Sequence, residues 1–162
     1  MLGPALTQLV SLSELAPGAV SSIRNDVVQK LLAIAVQQLN LSVDRLVVRD
    51  IRPAGDLDYS TETWDEVTGS TTGAYETMST GTLTQDRWVG IYGVQVNSEF
   101  LACSLLKFNI GGADRAIWNL QNLHPKDGFV GFSPSAVLIP TNAPYTISRY
   151  VVQATSAAHI IL

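Results

Sequence analysis

The sequence predicts a mainly β protein: a single barrel or sandwich of about eight short strands, with an N-terminal arm and one helix near 25–39. Three observations carry this. From Arg87 onward, β-like runs alternate with turn signals every eight to twelve residues or so. The chain of 162 residues is long enough for one domain with a real core. Its hydrophobic fraction is 46% and its mean hydropathy +0.20, which exclude wholesale disorder.

The elements follow in order. Residues 1–21 hold Leu6, Leu9, Val10, Leu12 and Leu15 between Pro4 and Pro17. That is too apolar for a solvated tail, so an arm is expected to pack on a neighbouring copy or fold back onto its own sheets. With Arg24 as the first basic residue, no secretory leader is expected. Residues 25–39 read as a helix. Asn25 is the expected cap, Asp26 suits the positive end of the dipole, and Asp26, Lys30, Ala33 and Gln37 form one small or polar stripe. Its other positions are mostly apolar, so cover on more than one side is expected. Its β-branched residues leave a buried strand as the competing reading.

Residues 43–52 read as a strand that Pro53 and Gly55 end. Residues 53–86 then change in character, rich in Thr, Ser and Gly, with seven of the 14 acidic residues and no basic residue within them. This predicts a long acidic loop, with a strand near Thr71–Leu83. Beyond it, Arg87–Asn97 alternates, with Trp88, Tyr92, Val94 and Val96 expected on one face and Val89 and Ile91 on the other. Phe100–Ile110 is apolar on both faces, and Gly111-Gly112 is a tight-turn signal. Further strands are expected at 115–123, 128–132, 136–140, 145–154 and 159–162, so that 22–162 forms one domain.

Catalytic chemistry finds little support. There is no nucleophile elbow, no phosphate-loop motif and no zinc-ligand spacing. His124 and His159 are the two histidines; the first reads as an exposed loop residue and the second as packed or interfacial. Cys103 is a single cysteine in an apolar run, so a buried inert thiol is expected ahead of an interchain disulfide or a catalytic thiolate. Asp56, Asp58, Glu62, Asp65 and Glu66 could offer hard oxygens to calcium, but their spacing departs from known calcium loops. No metal or cofactor is expected. No direct nucleic-acid binding is expected of a chain of net charge −4 whose ten basic residues are scattered.

Charge, by contrast, is informative. Asp, Glu, Lys and Arg make up only 15% of the chain, against roughly 25% in an ordinary soluble domain. A thinly charged exterior predicts cover by other copies of the same chain. The expected contacts are the arm leucines Leu9, Leu12 and Leu15, the loop aromatics Trp64 and Tyr75, and the terminal Ile160, Ile161 and Leu162. Trp88 and Trp118, in alternating runs, are expected in the core. A β-sandwich binding module that holds a sugar on the 53–86 loop is the alternative.

The runs VVRDIRPAGDL (47–57), LLKFNIGGADRAIWNL (105–120) and AVLIPTNAPYTISRYVV (136–152) resemble a viral jelly-roll coat subunit. The likeness is to the small major capsid proteins of tailless icosahedral viruses with an internal membrane, the sphaerolipovirus-like group, and spans roughly 44–162. It implies a single jelly-roll barrel in a virion shell, paired with itself and with a larger coat protein over a lipid layer. The modest acidity of this chain departs from haloarchaeal members and fits a non-halophilic host.

Overall fold

A computed structural model describes residues 4, 6–52, 55–56, 71–84, 86–97, 102–153 and 159–161. Its strands wind outward from one hairpin. β5 (Cys103–Ile110) and β6 (Ala113–Asn119) pair antiparallel across Gly111-Gly112. Both glycines have positive φ, 63° and 78°, the left-handed pair that a two-residue hairpin turn demands. Around this hairpin, β4 (Val89–Asn97) pairs antiparallel with β7 (Val130–Ile139), and outside that β3 (Tyr75–Thr82) pairs antiparallel with β8 (Pro144–Val151).

Three short strands complete two sheets: β1 (Leu6–Gln8), β2 (Val10–Ser11) and β9 (His159–Ile161). The orders are β1-β6-β5-β8-β3 and β2-β7-β4-β9. The expectation of a barrel is corrected to an open sandwich, because the sheets remain separate and do not close on one another. Side chains from both fill the space between them. Trp118 and Phe108 are fully buried and meet edge to face at 4.7 Å, among Leu106, Leu120, Ile139, Ile147 and Ile160.

The arm folds back onto this core. β1 runs parallel to β6 in one sheet, and β2 runs antiparallel to β7 in the other. Leu9, between them, is 4% exposed. Ser11 is buried, donates its hydroxyl to the Asn122 carbonyl (3.3 Å) and accepts from the His124 N–H (3.1 Å). Residues 6–11 therefore stitch one flank of the sandwich. Burying a leucine between the sheets contributes about 1.5–3 kcal/mol, which a free arm would forgo.

β4 departs from simple alternation. Its register with β7 shifts between Ile91 and Gly93, where residues 133–136 of β7 loop out opposite Tyr92. Ser133 holds that bulge, donating its hydroxyl to the Ser135 carbonyl at 2.7 Å. The bulge resets the side-chain phase, so Val89, Ile91, Val94 and Val96 all enter the core. The expected placement of Val89 and Ile91 opposite Val94 and Val96 is thereby corrected. Tyr92 lies on the outer side, stacked on Phe132 at 6.4 Å. Trp118 is core as expected, whereas Trp88 is half-buried on the outer layer.

Helix α1 (Ala19–Leu39) starts six residues before the expected boundary. Pro17 and Gly18 are the real break; Gly18 has φ 82° and its carbonyl accepts the first helical bond from Ser22 N–H at 3.1 Å. Asn25, expected as the cap, lies inside the helix. Asn40 ends it in the left-handed conformation. The stripe of Asp26, Lys30, Ala33 and Gln37 is exposed, while Val27 and Ala35 are buried. The helix lies on the outer face of the four-stranded sheet, and it gets there at Gly90. A Cβ on residue 90 would stand 2.5 Å from Val27 Cγ1 and 3.2 Å from Leu31 Cδ1.

The strand expected at 43–52 is absent. Val43–Arg45 forms one turn of 3-10 helix, and 46–52 belongs to neither sheet. Leu46, Val47 and Val48 are three apolar residues in a row, which no pleated strand can point at one core. The segment is anchored by side-chain charge instead of a ladder.

Gly90→Ala is expected to destabilise the protein by about 1–3 kcal/mol, because the added methyl overpacks the helix contact. Val27→Ala in the same chain should recover part of that loss. Urea unfolding of the two single variants and the double variant checks this; additive losses would show that the helix does not rest on residue 90.

Candidate functional site

Two clefts flank segment 48–51 on the outer layer. One, of about 370 Å³, lies between α1 and the four-stranded sheet, walled by Val27, Leu31, Ile51, Tyr92 and Phe132. The Arg24–Asp50 ion pair (3.1 Å) sits at its rim, both side chains open to water. The other, of about 540 Å³, runs under Leu39, Leu41, Leu46 and Val47. Val48, Arg49, Ile51 and Trp88 border both. Trp88 ties helix to sheet by donating its Nε1–H to Gln38 Oε1 at 3.0 Å.

The charged wall of the second cleft is a knot around Asp56. Arg49 grips this carboxylate with both terminal nitrogens, each at 2.7 Å. The Arg52 N–H donates to it at 2.7 Å, and Arg87 Nη1 reaches it at 3.0 Å while also bonding the Gly55 carbonyl at 3.2 Å. The Asp56 side chain is 5% exposed. A buried carboxylate is tolerable only when it is paired and fully bonded, and a two-nitrogen guanidinium grip does that best. The bond from Arg49 is the main reason that the Asp56 carboxyl titrates below its ordinary value of 3.8; burial opposes it, and Arg52 and Arg87 add to it.

This corrects Asp56 as a calcium candidate, since its oxygens are already spent on arginines. Asp58, Glu62, Asp65 and Glu66 lie outside the described residues. Among the described residues, no three His, Cys, Asp or Glu side chains come together to hold a metal, and no helix is long and apolar enough to cross a membrane. His124, expected as an exposed loop residue, is half-buried in its loop, with Nε2 3.6 Å from Glu14 Oε1. The same loop is held to the arm by Asp127, which accepts from Ser13 N–H at 3.0 Å.

The residues expected at an assembly interface fall in different places. Leu9 and Ile160 are corrected to core positions, 4% and 1% exposed, because the arm and β9 each add a strand to a sheet. Leu12 is 43% exposed and Leu15 is half-buried. Tyr75 is 39% exposed on edge strand β3, edge-on to Tyr150 at 5.2 Å with the Lys107 ammonium 4.4 Å over its ring. Ile161 lies in β9. Trp64 and Leu162 lie outside the described residues.

Sequence reasoning missed a group of exposed large apolar residues after the helix. Val47 is 88% exposed, Val43 55% and Val48 45%. The signal was present, in the three consecutive apolar residues Leu46, Val47 and Val48, but it was absorbed into a strand reading.

Cys103 is 2% exposed in the core, and burial pushes its thiol up to about 11, against a smaller opposing pull from Arg149. That environment suits neither a nucleophile nor a bridge to another chain.

No protein-family model, curated protein or solved structure matches this chain.

Two outcomes follow from this chemistry. Asp56 binds fewer protons folded than unfolded between its lowered pKa and its ordinary one. Its stabilisation is therefore complete above the ordinary carboxylate range and is lost as pH falls through the lowered value. Asp56→Asn should cost about 2–3 kcal/mol at neutral pH and flatten the acid limb of a stability-against-pH curve. The part due to Asp127, also held low by bonds from Ser13, should remain. An unchanged acid limb in the Asn variant would show that the knot is not what titrates. Separately, Cys103 should resist a thiol-directed reagent at neutral pH in the native protein and react fully in denaturant; rapid native labelling would contradict the burial described.

Proposed function

We propose that this chain is a structural subunit that assembles with copies of itself, as a coat protein of jelly-roll type does. The observation that carries the reading is the apolar surface left in water on the outer layer, Val43, Val47 and Val48, beside two apolar clefts. Single exposed hydrophobics are ordinary, but a contiguous apolar patch marks a contact surface. Leu6, Leu12, Tyr75 and Val152 add exposed apolar groups elsewhere. The thin charge of the chain leaves few ionised groups to compensate.

The winding supports the finer reading. Pairs β5/β6, β4/β7 and β3/β8 nest one around another and fall alternately in the two sheets. That is how a hairpin is rolled into a jelly roll. In a shell, a larger coat protein and an underlying lipid layer would be further partners, and the virion would be the place of action.

Light scattering after size exclusion, across roughly 1–100 µM, tests the reading in the range where specific assemblies form. A dimer or larger species is expected. A 17.4 kDa monomer at every concentration would overturn it. If that monomer also bound an immobilised polysaccharide, it would be a binding module instead.

A further inference from the structure

We propose that the cleft of about 540 Å³ under Leu39, Leu41 and Leu46 is a binding site for a single-chain carboxylate amphiphile of the fatty-acid class, its tail among the aliphatic side chains and its carboxylate on the arginines. Such a site is independent of self-association.

The lining selects the tail. The volume falls within the roughly 300–1,000 Å³ of small-molecule sites. Leu31, Leu32, Leu39, Leu41, Leu46 and Ile51 border the cleft and are all half-buried, so the helix and the segment after it leave a run of aliphatic surface that their own contacts do not cover. Among the described residues, the lining holds no amide, hydroxyl or imidazole side chain, the groups that would read a sugar or a nucleobase. Its polar groups are the Trp88 indole, already donated to Gln38, and formal charges.

Those charges select the head group. Arg45, Arg49 and Arg87 line the cleft against Asp56 and Asp86, an excess of one positive charge in a chain of net charge −4. Arg49 is committed to Asp56 through both terminal nitrogens. Arg87 spends Nη1 on Asp56 and the Gly55 carbonyl, which leaves Nη2 and Nε. Among the described residues, the Arg45 side chain makes no ion pair at all. Guanidinium donors left over beside an apolar cleft suit a carboxylate at the end of an aliphatic chain. In the smaller cleft, by contrast, Arg24 already holds Asp50 and Arg49 already holds Asp56. Asp86, exposed in a turn with φ 65°, is the group that opposes an anion.

Isothermal titration of octanoate into the full-length chain at neutral pH tests this, with 1-octanol, octyltrimethylammonium and acetate as comparisons. Octanoate should bind saturably, once per chain. Octanol should bind about tenfold more weakly, the worth of one charge-assisted hydrogen bond. The ammonium and acetate should not bind. Decanoate, with two more methylenes to bury, should bind about tenfold more tightly than octanoate. Arg45→Gln should weaken octanoate by about tenfold and leave octanol unchanged. Asp86→Asn keeps a residue type that tolerates the left-handed turn and should tighten octanoate by about two- to fivefold. Melting curves confirm that both exposed positions tolerate the change, and the ligand series stands alone if one does not. No saturable heat with octanoate, equal binding of octanol or the ammonium, or an Arg45→Gln variant that binds octanoate as the wild type does would each overturn the site. Octanoate heat that fades as the chain is concentrated into assembled species would show a second copy covering the cleft, and overturns it as well. Sedimentation decides self-association separately: a monomer that binds octanoate keeps the site while that reading falls, and an assembly whose dilute chain binds none does the reverse.

Discussion

The outer layer exists because residue 90 has no side chain. Val27 and Leu31 occupy the space where its Cβ would be, and so a 21-residue helix lies on the four-stranded sheet instead of standing off it. The consequences run outward. Helix and sheet, once in contact, leave clefts that segment 46–52 borders. The apolar groups that reach solvent there are the ones that a two-layer sandwich would not have needed.

Two kinds of force hold the two parts of the molecule. The sheets are held by main-chain ladders and a dry core of aromatic and branched side chains. The segment after the helix makes little use of its backbone and is anchored by one carboxylate shared between two arginines. A chain with so few charges concentrates three of them at this point. The position is the junction of segment 46–52, Gly55 and the start of β4, where no apolar contact could specify a geometry as narrowly as a two-nitrogen grip does.

The N-terminal residues play a comparable part at one edge of each sheet. By placing β1 on one sheet and β2 on the other, they join edges that hydrogen bonding alone keeps separate. Ser11, Ser13 and Glu14 then hold the loop at 122–127. Of the two fates that the sequence leaves open for this stretch, docking on a neighbouring copy or folding back, residues 6–11 take the second.

The sequence by itself determined the local features. The strand rhythm after Arg87, the Gly111-Gly112 turn, the body of the helix with its exposed polar stripe, and the burial of Trp118 and Cys103 all follow from periodicity, turn chemistry and hydrophobicity, which act over a few neighbouring residues. Tertiary structure decided what depends on distant partners. The bulge opposite Tyr92 put Val89 and Ile91 on the same side as Val94 and Val96, and only the fit of β7 against β4 sets that phase. The fates of Leu9 and Ile160 depended on vacant sheet edges, and that of segment 43–52 on Asp56 being within reach of Arg49 and Arg87. Of the candidate surface, the apolar run Leu46–Val48 was legible, but its exposure was not, because exposure is set by what packs on a residue and not by the residue itself.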